Sequence, residues 1–271
     1  MYIQSTDQLG NIHQITFPPK RIISLVPSQT EFLFDIKLDE EIVGITRFCI
    51  HPADKVGNKV KTGGTKKFDI EKIKSLQPDL IIGNKEENYV EGIEELSNHF
   101  PVWMSDIFTL NDAYAMMREL GRITDKQSEA DSLVTGLEHA FNSFQNSFVK
   151  DGESQSCAWF IWRKPYMVAA SHTFIDHMLQ VLGLSNVFSG LQRYPEIEPE
   201  ILGNLKPDII FLSSEPYSFS KKHFEEFQAF APHAKVVLVD GEIFSWYGSR
   251  LRFAPGYFTD LKEQIKKARL H

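Results

Sequence analysis

The residues best suited to hold a small molecule lie where apolar runs give way to turns. Phe244-Ser-Trp-Tyr-Gly-Ser-Arg250 places Trp246, Tyr247 and Arg250 in one glycine-containing stretch after a run that ends at Val239. Aromatic faces stack on a planar ring, and a guanidinium reads amide or acid groups on its edge. Trp162-Arg-Lys-Pro-Tyr166 offers two more aromatics on what reads as a hairpin, and Tyr194 adds another. In the first half, Ser28 follows one apolar run and Arg47-Phe-Cys-Ile-His51 follows a second, with Phe48 suited to stacking. Ser28 serves equally well as a helix cap. Cys49 and His51 are single candidate metal ligands, for which a structural role is the commoner one. Lys85-Glu-Glu-Asn88 and Ser213-Ser-Glu215 bring polar groups to the ends of two further runs, and Ser171-His172 to another. Glutamates there also suit ordinary helix capping.

Motifs for covalent or metal catalysis do not occur. There is no G-x-S-x-G elbow, H-E-x-x-H pair, P-loop or dinucleotide fingerprint. His172 and His177, five apart, fall on different sides of a helix and make a poor metal pair. A dyad assembled only in three dimensions stays open. The expectation is a binding protein, not an enzyme, with no intrinsic cofactor.

The positioning elements alternate. Strands are expected at 21–26, 42–46, 80–83, 102–105, 157–162, 166–170, 209–213 and 236–239, most of them apolar throughout, as strands covered on both faces are. Helical patterns at 30–34, 70–76 and 174–182 separate them, and such alternation means parallel α/β sheets. Ligands bind beyond the carboxyl ends of such strands. Thr124-Asp-Lys-Gln127 reads as a capping box. After it Ala130, Leu133, Val134, Leu137, Phe141, Phe144 and Phe148 form one apolar stripe, and a helix from Asp125 to Val149, ended by Asp151-Gly-Glu-Ser154, would span roughly 37 Å at 1.5 Å per residue. That length suits a rigid strut across two small domains.

An internal echo supports two lobes. Glu71–Glu87 and Glu200–Pro216, offset by 129 residues, share Glu71/Glu200, Leu76/Leu205, Pro78/Pro207, Asp79/Asp208, Ile81/Ile210 and Glu86/Glu215. Chance gives roughly one identity in such a span. A chain of 271 residues suits two domains. The expected fold is therefore α/β, with two Rossmann-like lobes whose parallel central sheets are joined by one long backbone helix, and a ligand cleft between the lobes. Residues 1–108 form the N-terminal lobe, 109–153 the linking helices and 154–271 the C-terminal lobe.

Composition narrows the partners. A net charge of −7 without a long basic run argues against nucleic acid or an anionic membrane surface. No segment reaches the roughly 18 apolar residues of a membrane span. Cys49 and Cys157, the two cysteines, have no metal or redox spacing and read as buried free thiols. Residues 1–20 are polar and lack the apolar stretch of a secretory signal, which leaves the compartment open.

Arg21-Ile-Ile-Ser-Leu-Val-Pro-Ser-Gln-Thr-Glu31, Gly63-Gly-Thr65, Leu76-Gln-Pro-Asp-Leu-Ile-Ile82, Phe174–Phe188, Arg193-Tyr-Pro-Glu196 and Leu205-Lys-Pro-Asp-Ile-Ile210, in that order and spacing, carry a resemblance. From residue 20 onward the chain resembles the cobalamin, haem and ferric-siderophore binding proteins of ABC importers, closest to the cobalamin branch. The resemblance implies a solute-binding component, outside the cytoplasm, that is a monomer carrying one small-molecule ligand, cobalamin or another metal macrocycle or chelate. It implies docking on a permease dimer through one exposed glutamate per lobe, at Glu71 and Glu200, where physics alone reads two solvated helix-start carboxylates. Tyr194 matches an aromatic of the cobalamin site. Thr65 stands where the family carries its first-lobe aromatic, with Phe68 near enough to replace it. Two other readings share the fold: a cytoplasmic protein or enzyme handling corrinoids or metal complexes, and a receptor for haem or a ferric siderophore. A sensor or adaptor with a ligand cleft is a third.

Overall fold

Strands that are apolar on every position fold into sheets covered on both faces. The computed structural model describes residues 1–147 and 154–267, and two compact units emerge. The first comprises 1–107, 111–138 and 246–250; the second comprises 108–110, 139–245 and 251–271. Trp246–Arg250, which chain order alone assigns to the C-terminal lobe, thus packs with the first unit.

In the first unit, strands β1 (Tyr2–Thr6) and β2 (Ile12–Thr16) pair antiparallel as a hairpin. Then β3 (Ile22–Ser24), β4 (Ile42–Ile45), β5 (Val60–Lys61), β6 (Leu80–Asn84) and β7 (Val102–Ser105) form a parallel sheet in the order β5-β4-β3-β6-β7. Ile23, Leu25, Ile81, Val102 and Met104 from these strands and their ends pack with Phe68, Ile73 and Leu96 into one cluster. The hairpin was not legible in the sequence, because only one of its faces is buried and polar residues anchor it. Ser5 Oγ donates to Glu119 at 2.5 Å and accepts from the Trp103 indole at 3.0 Å. The Asp7 carboxylate closes the turn by accepting from the Leu9 and Asn11 amides.

The second unit has β8 (Ser156–Trp162), β9 (Met167–Val168), β10 (Ser185–Asn186), β11 (Ile209–Ser213) and β12 (Lys235–Val239). Strands β10-β8-β11-β12 run parallel, while β9 turns back antiparallel on β8, so Trp162–Tyr166 is the expected hairpin. Its core joins Phe160, Val168, Phe188, Ile210, Leu212, Phe219 and Phe227.

The long helix runs over Gln127–Ser147, about 31 Å at 1.5 Å per residue, with its first part in one unit and its last in the other. Ala130, Val134, Leu137, Phe141 and Phe144 are buried along its stripe, and Leu133 is half-buried. Phe148, Val149 and 151–153 lie outside the described residues. The expected capping box at Thr124 does not form. Leu110–Ile123 is itself a helix, so the Thr124 hydroxyl turns back onto its last turn and donates to the Leu120 carbonyl at 2.6 Å. Asp125, with φ of 60°, then breaks the chain direction.

The sequence echo is a structural echo. Pro78 and Pro207 are both buried. Gln77 and Lys206, one residue earlier, both adopt left-handed backbone, with φ of 44° and 47°. Asp79 accepts from the Lys20 and Arg21 amides at 2.7 and 2.8 Å, fastening the start of β3 beside β6. Asp208 accepts from the Ser156 amide and hydroxyl, both at 2.8 Å, fastening the start of β8 beside β11. Each unit thus uses the same left-handed residue, proline and aspartate to leave a helix and enter its sheet.

Candidate functional site

In a parallel sheet the first turns of the following helices converge at the strand carboxyl ends, where backbone donors and loop side chains collect. In the first unit, β3 leads into the helix Pro27–Asp35, capped by Val26 and not by Ser28. Ser28 lies buried on the second helical residue, against Gly248. A Cβ at Gly248 would overlap the Ser28 carbonyl oxygen, so only glycine lets the 246–250 segment approach this close. The same segment is fastened by Arg250, whose Nε and Nη2 donate to Glu31 at 2.9 and 3.2 Å. Side-chain exposures of 13% and 6% make this a mostly buried, bidentate pair. Trp246 is buried beneath the Arg250 guanidinium, 5.1 Å from its ring centre, with the His51 ring edge-on at 5.5 Å. Tyr247 is buried in the same segment. Arg250 therefore has an acidic partner within the first unit, a role the sequence did not reveal, because Glu31 stands 219 positions away.

After β4 the chain turns through Thr46–Pro52. Thr46 and Cys49 are buried, whereas Arg47, Phe48 and Ile50 are exposed. The Cys49 sulfur lies 3.1 and 3.2 Å from the hydroxyls of Thr30 and Thr46. Burial pushes its thiol up, against the opposing hydrogen bonds of the two threonines. Cys49 is thus a packed thiol, not an open metal ligand. The Arg47 guanidinium lies over the Phe48 ring at 4.9 Å. Phe68 does not replace the missing first-lobe aromatic: it is buried in the core and stacks on Tyr89 at 4.6 Å. After β6, Asn84 and Asn88 organise the loop. Asn84 Oδ1 accepts from the Glu86 and Glu87 amides, and the Asn88 amide nitrogen donates to the Leu25 and Thr65 carbonyls.

In the second unit, Trp162 is 39% exposed at the end of β8, edge-on to Tyr217 at 5.6 Å. Tyr166 instead packs into the aromatic core against Phe160, Phe227 and Phe230. Its hydroxyl donates to Glu226, which Arg163 also holds at 2.9 Å. Burial, then the hydrogen bond to Glu226, raises the Tyr166 phenol to about 12. Tyr194 is half-buried on a segment that runs beside 167–171, through the Ala170 amide to the Arg193 carbonyl. At the end of β11, Ser213 Oγ donates to the Glu215 carbonyl, and the Glu215 carboxylate accepts from Ser245 at 2.9 Å. Ser214, Phe219, Leu238, Val239, Asp240 and Glu242 line an open pocket beyond β11 and β12.

Glu71 is 85% exposed at its side chain, on the first turn of the helix Ile70–Ser75, which Asp69 caps. Glu200 is exposed on the short helical turn Pro199–Ile201. Cys157 is a buried free thiol in the second unit, as Cys49 is in the first. Among the described residues, no group of three His, Cys, Asp or Glu side chains gathers to hold a metal ion, and no helix is long and apolar enough to cross a membrane.

Comparison with known proteins places this architecture. A family model described as periplasmic binding protein matches residues 22–237. The vitamin B12-binding protein of Pectobacterium carotovorum is 25% identical over 246 residues, covering 87% of this chain and 86% of the relative. A Bacillus subtilis ABC transporter substrate-binding lipoprotein is 24% identical over 243 residues, covering 86% and 76%. Among solved structures, the periplasmic vitamin B12 binding protein of Vibrio cholerae superimposes with a TM-score of 0.80 at 18% identity, covering 92% of this chain and 99% of its own. The periplasmic haem-binding protein of Roseiflexus gives 0.79 at 19% identity, with 92% and 98% covered.

Proposed function

This chain belongs to the periplasmic binding protein family, and we propose that it is the solute-binding component of an ABC importer whose ligand is a metal macrocycle or chelate, with cobalamin foremost. The match of the family model across both sheets, residues 22–237, is the observation that carries this reading. Relatives named for vitamin B12 support the cobalamin assignment. Structural neighbours named for haem and for Fe3+-hydroxamate transport share the fold at 20% identity or less and keep those two ligands as the second reading. Phe48 in the first unit, and Trp162 and Tyr194 in the second, are the aromatics near strand carboxyl ends that keep exposed surface, and each supports a ligand contact within its own unit. Ser28, Tyr166, Trp246, Tyr247 and Arg250 are largely committed to packing within their own units. The protein works as a monomer outside the cytoplasm and binds its solute without transforming it, as its family does.

Glu71 and Glu200 are the docking carboxylates for the permease. Their exposure and their matched places in the two halves of the repeat support this role, since two separate charges register a partner at two points. Reversing both, Glu71→Lys with Glu200→Lys, should abolish uptake in a reconstituted transporter while ligand affinity stays unchanged; loss of ligand affinity would refute the docking role. For the ligand class, tryptophan emission should be quenched by cobalamin, cobinamide, haem or a ferric hydroxamate, and Trp162→Phe should remove a large part of the signal. No response to any of the four would refute the class.

A further inference from the structure

We infer that Arg47 and Phe48 form an anion-reading aromatic shelf, so that the ligand carries a carboxylate or phosphate group beside its ring; this rests on the ligand class proposed above. Among the described residues, five other arginines have protein acceptors. Arg250 is paired with Glu31, Arg163 with Glu226, Arg118 with Glu138 and Arg122 with Glu119, while Arg21 donates to the Leu76 and Gln77 carbonyls. Among the described residues, Arg47 has neither a carboxylate nor a carbonyl acceptor for its guanidinium. Its neighbour there is the Phe48 ring, 4.9 Å away.

The backbone holds this pair in place. The Arg47 amide donates to the Gly63 carbonyl at 2.7 Å, and the Gly64 amide closes its own turn on the Lys67 carbonyl at 2.8 Å. A Cβ at Gly64 would lie 3.2 Å from Phe48 Cε2 and 3.6 Å from Arg47 Nε and Nη2. The glycine backbone is thus a floor under both side chains. Phe48 and Ile50, two residues apart, remain 48% and 50% exposed, an apolar surface that a ligand ring would cover. Lys66 and Lys67, exposed on the same turn, add positive charge around it. A guanidinium lying on an aromatic face keeps its donor edge free, and a planar fork matches carboxylate and phosphate oxygens two at a time. The shelf therefore offers a ring contact and an acid contact side by side.

The test compares ligand pairs in which one member carries the acid and the other lacks it, the haem pair differing in the acid alone. Haem carries two carboxylates and its dimethyl ester none; cobalamin carries a phosphodiester and cobinamide lacks it. Each is titrated against the wild type, Arg47→Met and Phe48→Ala, with thermal unfolding recorded for all three. The expected result is that Arg47→Met weakens the acid-bearing member of the pair that binds by about 10- to 100-fold, weakens its neutral counterpart less than twofold, and leaves unfolding unchanged. Phe48→Ala should weaken both members alike. Equal losses on acid and neutral ligands in Arg47→Met, or no loss on either, would overturn the shelf while leaving the ligand class standing. Failure of the wild type to bind any of the four would overturn the ligand class and the shelf with it.

Discussion

The two sheets begin alike and end differently. At the amino ends of β3 and β8, the first unit and the second each place an aspartate, Asp79 or Asp208, on the start of the neighbouring strand. Both follow a buried proline and a left-handed residue. At the carboxyl ends the correspondence is lost. The second unit spends its polar groups internally, Glu215 on Ser245 and Glu226 on Arg163 and Tyr166. The first leaves Arg47, Phe48 and Ile50 open to solvent. The repeat keeps what feeds a strand into its sheet and diverges at the carboxyl ends.

The largest expected effect lies at the Glu31–Arg250 pair of the first unit. Arg250→Met leaves the Glu31 carboxylate buried without its partner and should cost about 3–5 kcal/mol in urea unfolding. The double variant Arg250→Met with Glu31→Gln should recover part of that loss. No recovery would mean that the guanidinium acts through packing on Trp246 alone.

Asp79→Ala and Asp208→Ala break the shared device, and each should cost about 1–2 kcal/mol by the same measurement. Because the two aspartates share no partner, the double variant should be additive within about 0.5 kcal/mol. A loss confined to Asp79 would show that the second copy of the turn is ornamental.

Acid should separate the units further. In the first, burial acts to raise the Asp7 and Glu119 carboxyls, but hydrogen bonds from His13 and Asn11, and from Arg122 and Ser5, outweigh it and hold both below the usual range. In the second, Arg163 and Tyr166 do the same for Glu226 against its burial. A lowered folded value gives stability that is present above the unfolded pKa of about 4 and is lost as pH falls through the folded one. Amide exchange should therefore quicken in both units as pH drops from about 5 toward 3, after correction for intrinsic rates. The β1–β2 hairpin and the helix Leu110–Ile123 should respond most, since Asp7 and Glu119 anchor them. An unchanged hairpin would contradict that anchoring.

The smallest effect is expected at the thiols. Cys49 and Cys157 are buried, and burial pushes both up, so neither should react with a maleimide in the native state. Rapid labelling of either would show an opening of that unit's core.

Much of this fold was legible. Val102–Ser105 and Ile209–Ser213 are strands with the bounds their apolar runs gave, because strands buried on both faces need no partner pattern to be recognised. The repeat was legible because proline and aspartate at a turn are specific residue types. The β1–β2 hairpin was not, since its anchors are polar contacts to Trp103 and Glu119, about a hundred positions on. Thr124 misled because a threonine followed by Gln127 looks the same whether it starts one helix or closes another. For the site, sequence supplied the aromatic positions but not their state: Phe48 and Trp162 are open, while Tyr166, Phe68 and Tyr247 are packed. That distinction depends on partners far away in the chain, as Glu31 is for Arg250.

Calorimetric titration of the purified protein with cobalamin, cobinamide, haem and a ferric hydroxamate tests the central claim most directly. The account predicts that at least one of them binds at one equivalent per chain, with micromolar or tighter affinity and a negative heat-capacity change from burial of apolar surface. Absence of saturable binding for all four would contradict it.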